Sequence, residues 1–434
     1  MKFVKLFAVI PLIFILSGCT GEEPNNIGYI TAVGIDKTEE GYLYTIQFAN
    51  PTNISGGASE EGGSGGKIVE NISVQAPSLY AGINNANMIT SKILSLSHAQ
   101  LIVTSEEVAK SDMKELNDMF SRNNDIRPDI YFAVAENAGN DLEEVKPVLE
   151  LNPVKYYNLT YNKKHGNAIP KNTIADFYFA SVSGDADCPL PFAGVAKSNQ
   201  EEKSDTDAGS GGGGSSESDN KSIENESGKE ISVSDQGFEN RNKNYIAGQI
   251  GEKIKNKSEA VGMAIFKNEK YICRLGSSDA EIYNILSGTM KLNNVSFYSK
   301  DTPQQPITMR LEQKKKPRYK IDLNNKTVNI YVEIENELLT ASKEYKENNS
   351  TEDMNNQTSD MINKAAEEFL NKLYKEMDVD IMGIKGKIKR KFLTTERYNE
   401  YCSDFKPSEW SFTVHTDLTM KRTGMTYYRG NYGS

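Results

Sequence analysis

The stretch IGYITAVGIDKTEEGYLYTIQFA, residues 27–49, sets the fold expected for the chain. Apolar residues alternate with other residues at positions 27–36 and again at 41–49, on either side of a turn at 37–40. A period of two is typical of strands with one buried face, and the short turn predicts a β-hairpin. Strand and helix patterns alternate downstream, which predicts an α/β fold.

The residues from 67 to 288 continue this alternation. Strands are predicted at 67–74, 98–103 and 130–135, and helices at 77–95, 105–120, 142–149 and 172–180. Two more strands, 259–266 and 269–275, face each other across a turn at Asn268, and a helix at 278–286 ends at Gly288. The pattern therefore predicts mixed sheets and helices over most of the chain.

The last third contains more strands, with one long helix. Strands are predicted at 307–313, 318–323 and 327–335 as a meander, and a closing strand at 412–420. The clearest helix is 357–377, where apolar residues including Ile362, Ala366 and Phe369 repeat at three and four positions. We expect this amphipathic helix to cover one face of an antiparallel-rich sheet.

The N-terminus has the layout of an export signal. Lys2 and Lys5 precede an apolar run at residues 6–16, which is shorter than the 18 or so residues of a spanning helix. The run ends at Leu16-Ser17-Gly18-Cys19, which resembles the bacterial lipobox. The resemblance implies removal of residues 1–18, diacylglycerol on Cys19 and acylation of the new N-terminus. The alternative is an ordinary cysteine after a conventional signal peptide.

Composition limits the partners of the exported chain. Loss of Lys2 and Lys5 leaves 48 basic against 60 acidic side chains, a net charge of −12, which argues against a nucleic-acid partner. Besides Cys19, the cysteines are Cys188, Cys273 and Cys402, without the close spacing of a zinc or redox site. We expect small buried thiols, with one long-range disulfide as the alternative.

Composition also predicts the domain organisation. Residues 197–242 are rich in Ser, Gly and acidic residues and have too few apolar groups to offset the entropy of ordering. We predict a signal peptide at 1–18, a tether at 19–26, an α/β domain at 27–150, a small middle domain at 151–300 with 197–242 as a disordered insert, and a C-terminal α/β domain at 301–434. The 55–66 stretch is predicted to be a flexible loop.

The sequence suggests no catalytic site, metal site or cofactor. It contains no Gly-rich phosphate loop and no nucleophile elbow. Glu143-Glu144 and Glu367-Glu368 are interpreted as solvated helix faces, and His98 as a structural side chain. Five cations within residues 385–391 could touch anionic lipid headgroups, but an ordinary solvated loop is the simpler interpretation.

Several short motifs follow one another along the chain. They are the lipobox at Cys19, Ala32-Val33-Gly34-Ile35-Asp36, Leu96-Ser97-His98 followed by Glu106, Arg127, Gly262-Met263-Ala264-Ile265-Phe266-Lys267, Asp380-Ile381-Met382-Gly383-Ile384 and Gly424. Taken in order, they resemble the Ger(x)C family of spore germination lipoproteins. Each motif is weak alone, but the ordered set covers nearly the whole mature chain. The 55–66 loop and the 197–242 insert are longer than the family pattern needs.

The resemblance implies three α/β domains on a lipid anchor at the outer face of the spore inner membrane. It further implies a non-enzymatic C subunit that assembles with two integral-membrane subunits, of A and B type, into a receptor for small nutrients. It assigns no ligand-binding residue, because the matched motifs are strand ends, glycines and core residues. The alternatives weighed are a solute-binding lipoprotein of a transporter and an exported hydrolase with a convergent carboxylate pair.

Overall fold

The computed structural model describes residues 26–49, 69–122, 124–150, 152–166, 168–196, 244–251, 255–299 and 302–422. Within these residues the chain forms two β-sheets with helices packed against them, so the predicted mixed fold is confirmed. Several predictions lie outside the described residues: the signal at 1–18, Cys19 and the tether up to residue 25, the 55–66 loop, the 197–242 insert and Gly424.

The larger sheet contains nine strands. They are β1 (Ile27–Thr38), β2 (Gly41–Ala49), β3 (Val69–Ala76), β4 (Ile93–Ser95), β5 (Leu101–Ser105), β6 (Tyr131–Ala135), β7 (Leu190–Val195), β8 (Ser258–Lys267) and β9 (Lys270–Leu275). Their order is β3-β2-β1-β5-β6-β7-β8-β9, with β4 also beside β1. The neighbours β1, β5, β6 and β7 run parallel, and the outer pairs are antiparallel. The predicted hairpin is confirmed, since Thr38 pairs with Gly41.

The predicted middle region, 151–300, has no sheet of its own among the described residues. Its strands β7, β8 and β9 continue the larger sheet from β6, and its last strand belongs to the second sheet. Strand pairing joins residues far apart in the chain, so local periodicity could not reveal this continuity. The domain bounds themselves stay a prediction.

Seven helices accompany the described part of this sheet. They are α1 (Leu79–Ile89), α2 (Glu106–Ser111), α3 (Met113–Arg122), α4 (Ala138–Glu143), α5 (Pro153–Tyr161), α6 (Ile174–Ser183) and α7 (Ser277–Ser287). The single helix predicted at 105–120 is interrupted at Asp112, whose carboxylate forms an ion pair with Lys37. The helix at 278–286 is confirmed, and Gly288 ends it in the left-handed conformation.

Two helices near residue 150 differ from the prediction. The helix expected at 142–149 instead spans Ala138–Glu143. Its start is set by Asn137, whose side chain accepts a hydrogen bond from the Asn140 amide at 2.6 Å. Helix α5 was not predicted. Its signal was Asn152 followed by Pro153: the Asn152 side chain accepts from two helix amides, and proline suits the first helical position.

The second sheet is arranged around one long strand. Its members are β10 (Leu292–Ser299), β11 (Thr302–Glu312), β12 (Arg318–Asp322), β13 (Thr327–Thr340) and β14 (Ser411–Arg422). Strand β13 has 14 residues, so β12 pairs with its first half and β11 with its second half. The predicted meander is therefore wrong in its first pairing, because β11 lies beside β13 and not beside β12, whereas the antiparallel pairing of β12 with β13 is confirmed. Strand β14 runs parallel to β13.

Four α-helices follow β13 in the described residues up to 422: α8 (Lys343–Asn348), α9 (Thr351–Asn371), α10 (Ile384–Ile388) and α11 (Thr395–Cys402). Helix α9 starts six residues before the predicted helix because Ser350 and Asp353 form a reciprocal capping box. Its apolar face joins the core of the second sheet, which confirms the predicted packing. Each large side chain buried there contributes about 1.5–3 kcal/mol.

The two sheets share one hydrophobic core. Met263 and Ile265 of β8 and Leu275 of β9 are buried in the same cluster as Ile330 of β13 and Phe369 of α9. The other clusters contain residues of the larger sheet and its helices. Strands β8 and β9 therefore connect the two halves of the fold.

Candidate functional site

The loop before β7, the β8–β9 turn and the segment before α10 meet beside the shared core, and we call this region the junction. A cavity of about 350 Å³ opens here, and its walls include Phe177, Cys188, Phe266, Lys267, Asp378 and Phe405. Two of the motifs singled out in the sequence, 262–267 and 380–384, converge at this place, although more than 110 residues separate them in the chain.

Asp187 joins the two halves of the junction through its carboxylate. One oxygen accepts a hydrogen bond from the amide of Asn268 in the β8–β9 turn at 3.0 Å. The other accepts from the amide of Asp380 at 2.8 Å, and the Asp187 amide donates back to the Asp380 carbonyl at 3.1 Å. Asp187 thus fixes three backbone segments relative to one another. The sequence reasoning missed it, because an aspartate in a Pro-bearing loop carries no local signal.

Asp380 is the buried centre of the junction. It is 4% exposed, and its carboxylate accepts from the amides of Ile384 at 2.7 Å and Lys385 at 2.8 Å and from the hydroxyl of Tyr374. Burial raises the pKa of Asp380, although these donors oppose the shift, and the nearby Asp187 charge adds to it. The carboxylate therefore ties the start of α10 to the end of the α9 segment.

A third aspartate closes the junction near its surface. Asp378 forms an ion pair with Lys267, the last residue of β8, at 2.8 Å, and accepts from the Ser408 amide at 2.9 Å. Burial alone would raise the pKa of Asp378, but the hydrogen bonds from Lys267 and Ser408 outweigh it and leave the pKa below its usual value. The three carboxylates here all have donors, so the arrangement suits holding backbone segments in place.

The cation-rich stretch 385–391 lies next to the junction and is helical, forming α10 and a short 3₁₀ turn, so the loop interpretation is wrong. Lys387 turns toward the protein: its ammonium donates to the Met382 carbonyl and lies 4.5 Å from the centre of the Tyr319 ring. Burial lowers the pKa of Lys387. Lys389, Arg390 and Lys391 are exposed.

The motifs of the larger sheet make structural contacts. Asp36 lies just after the residues of β1 that pair in parallel with β5. Its two carboxylate oxygens accept hydrogen bonds from the amides of the first two residues of α4, Ala138 at 2.8 Å and Gly139 at 2.7 Å. Glu106 accepts from the hydroxyl of Tyr271 on β9 at 3.1 Å and pairs with Arg274. These carboxylates hold helices onto the sheet.

The other singled-out side chains lie apart from the junction. His98 is exposed and packs edge-on against Tyr29, with 4.3 Å between ring centres. Glu143 is exposed and Glu144 half-buried. Glu367 is not simply solvated, because it accepts from the amide of Val414 on β14 at 2.9 Å. Arg127 pairs with Asp129 at 3.3 Å.

The cysteines in the described part of the chain form no disulfide. Cys188, Cys273 and Cys402 are free; Cys273 is buried and the others are half-buried. Among the described residues, no cluster of three or more His, Cys, Asp or Glu side chains could hold a metal ion. In the same part of the chain, no helix combines the length and apolar character that crossing a bilayer requires.

Comparison with known families matches both halves of this fold. Residues 21–193 match the family described as "Spore germination protein N-terminal domain", and residues 261–424 match "Spore germination B3/ GerAC like, C-terminal". The matches cover most of the chain and leave out the stretch that holds the predicted insert. The chain belongs to the Ger(x)C family of spore germination proteins.

Two individual proteins are similar to the chain. Spore germination protein KC of Bacillus subtilis (strain 168) is 29% identical over 150 residues, which are 33% of this chain and 37% of that protein. The match thus spans little more than a third of the relative's length. The crystal structure of the GerBC protein aligns with a TM-score of 0.46 and 12% identity, over 90% of this chain and 96% of that one.

Proposed function

We propose that this protein is the lipid-anchored, non-enzymatic C subunit of a nutrient germinant receptor. The observation that carries the proposal is the pair of family matches, which follow each other in order along the chain. The lipobox at Cys19 supports the anchor, because two or more acyl chains hold a protein stably on a bilayer. The protein then acts at the outer face of the spore inner membrane.

The receptor role requires partners in the membrane. We propose assembly with two integral-membrane subunits, of A and B type, into a complex that responds to a small nutrient. The junction supports a structural role for this subunit, since its three carboxylates are bound to backbone amides, a tyrosine and a lysine. Such a centre fixes the two halves of the body as one unit that can contact other subunits.

The test replaces the acylated thiol in a spore-forming host. Cys19→Ala should abolish or sharply reduce nutrient-triggered germination and remove the diacylglycerol mass from the N-terminal peptide. Cys402→Ala is the matched control, because Cys402 is a half-buried free thiol in the second half of the fold; it should leave both readouts unchanged. Normal germination of Cys19→Ala spores, in a strain without a paralogue, would contradict the proposal.

A further inference from the structure

A cluster of exposed apolar side chains lies where α1 ends and β4 begins. Met88 and Ile89 are the last large residues of α1 and are 74% and 69% exposed; Ile93, the first residue of β4, is 48% exposed. Tyr80, in the first turn of α1, is 49% exposed. We call Met88, Ile89 and Ile93 the apolar edge. Adjacent exposed groups of this size mark an interaction surface.

The apolar edge is rigid. The Thr90 hydroxyl donates to the carbonyls of Ala86 and Lys92, both at 3.0 Å, which closes the turn between α1 and β4. The Asn87 side chain accepts from the amide of Leu94 at 2.8 Å and fixes the start of β4. The three apolar side chains are therefore presented by a closed turn held by hydrogen bonds.

The apolar edge lies where the chain enters the fold. Strands β1 and β4 are parallel, and Ile27 pairs with Ile93, so both strands begin at the same edge of the sheet. Only seven residues lead from Cys19 to Asn26. At about 3.4 Å per extended residue they reach no further than about 24 Å. An acylated Cys19 would hold this edge close to the bilayer.

The surroundings suit the headgroup region of a membrane. A cavity of about 400 Å³ beside the apolar edge has a mixed lining. It combines the apolar side chains of Ile27, Ile83, Ile93, Leu94 and Leu96 and the ring of Tyr80 with the polar Asn84, Asn87 and Ser95. Asp125 is the carboxylate among its described lining residues. Lys92, within the turn, is half-buried and adds a positive charge beside the apolar edge, which anionic lipid attracts.

We propose that the apolar edge inserts into the boundary between headgroups and acyl chains of the bilayer that carries the anchor. This inference rests on the proposed acylation of Cys19. Interfacial apolar groups and a lipid anchor together give a second attachment point. The two points fix how the body stands on the membrane, whereas the tether alone would let it rotate.

The structure supplies a matched control surface. Val148 and Leu149 are 61% and 100% exposed and follow α4. The amide of the neighbouring Lys146 donates to the Asn256 side chain, just before β8. Strands β1, β5, β6 and β7 are parallel, and β8 runs antiparallel to them. The start of β8, and with it Val148 and Leu149, therefore lies at the end of the sheet opposite to the start of β1 and the apolar edge.

The test uses two variants of the full-length, lipid-processed protein, one with a fluorophore at position 89 in the apolar edge and one with a fluorophore at position 149 in the control surface. Ile89→Cys and Leu149→Cys variants are made in a Cys188→Ala, Cys273→Ala, Cys402→Ala background, because these three native thiols are free and would compete for the dye. Each variant is labelled with an environment-sensitive dye and reconstituted into vesicles of phosphatidylglycerol and phosphatidylethanolamine with doxyl-labelled lipid. Circular dichroism checks that both variants are folded. Quenching is expected at position 89 and not at 149. Adding Met88→Ser and Ile93→Ser should reduce the docked fraction at 89 more than about tenfold, since two large apolar groups are lost from the interface.

The outcomes separate this inference from the proposed function. The mass of the N-terminal peptide reports acylation by itself, and an unmodified N-terminus would overturn both. Acylated protein without quenching at position 89 would overturn the bilayer as the occupant, leaving a protein partner for this surface. Equal quenching at positions 89 and 149 would also overturn it, because the contact would then be unspecific.

Discussion

Replacing Asp380 by alanine tests whether the junction holds the fold together. The change removes the acceptor of three donors: the amides of Ile384 and Lys385 and the hydroxyl of Tyr374. A buried donor left unpaired costs about 1–3 kcal/mol. The substitution also removes the desolvation penalty of the buried carboxylate, which offsets part of this cost. We expect a net loss of about 3 kcal/mol in the free energy of unfolding, at the lower end for breaking a buried charge interaction.

The assay is urea unfolding followed by the fluorescence of Trp410, the single tryptophan of the chain, which is buried in the core shared by the two sheets. Tyr374→Phe removes one of the three donors and also the acceptor of the Met382 amide, and it should cost about 1–2 kcal/mol. Asp118→Ala is the control, because its pair with Arg122 is exposed on a helix surface; its unfolding midpoint should not move. A loss below about 1 kcal/mol for Asp380→Ala would refute the reasoning.

Three further predictions concern other buried groups of the fold. Burial raises the pKa of Asp141 to about 7, so the folded chain binds more protons than the unfolded chain between pH 4 and 7. The free energy of unfolding should therefore fall by up to about 4 kcal/mol as the pH rises through this window. Asp141→Asn should remove that slope; parallel pH curves for the two proteins would contradict it. Gly262 has φ +87, and an added Cβ would meet the backbone oxygen of Leu275 on β9, so Gly262→Ala should lower the free energy of unfolding by more than about 2 kcal/mol. Gly166, with φ +60 and nothing within 4 Å of an added Cβ, is the control: Gly166→Ala should lower it by about 1 kcal/mol, and thermal unfolding measures both. Burial raises the pKa of the Cys188 thiol, and it raises the pKa of Cys273 to about 12. Peptide mass mapping should therefore find both thiols unlabelled by a thiol reagent at neutral pH until denaturant is added, and fast labelling of either one in the native protein would be the opposite result.

The local pattern predicted most elements because each is encoded by its own residues. The alternation at 27–49 gave the β1–β2 hairpin, and the period of three and four in 357–377 gave the helix that covers the second sheet. The misplaced helix ends were decided by side-chain caps at Asn137, Asn152 and Ser350. These signals are in the sequence but are weaker than apolar periodicity.

The sequence alone determined the fold class, the hairpin, the amphipathic helix and, through its ordered motifs, the family to which the chain belongs. Only the tertiary structure decided that β7 to β9 extend the first sheet, that β11 and β12 share one edge of β13, and that Asp187 meets Asp380. The reason is physical. Periodicity reports which face of an element is buried, whereas the choice of partner depends on hydrogen bonds and packing between residues that are distant in the chain.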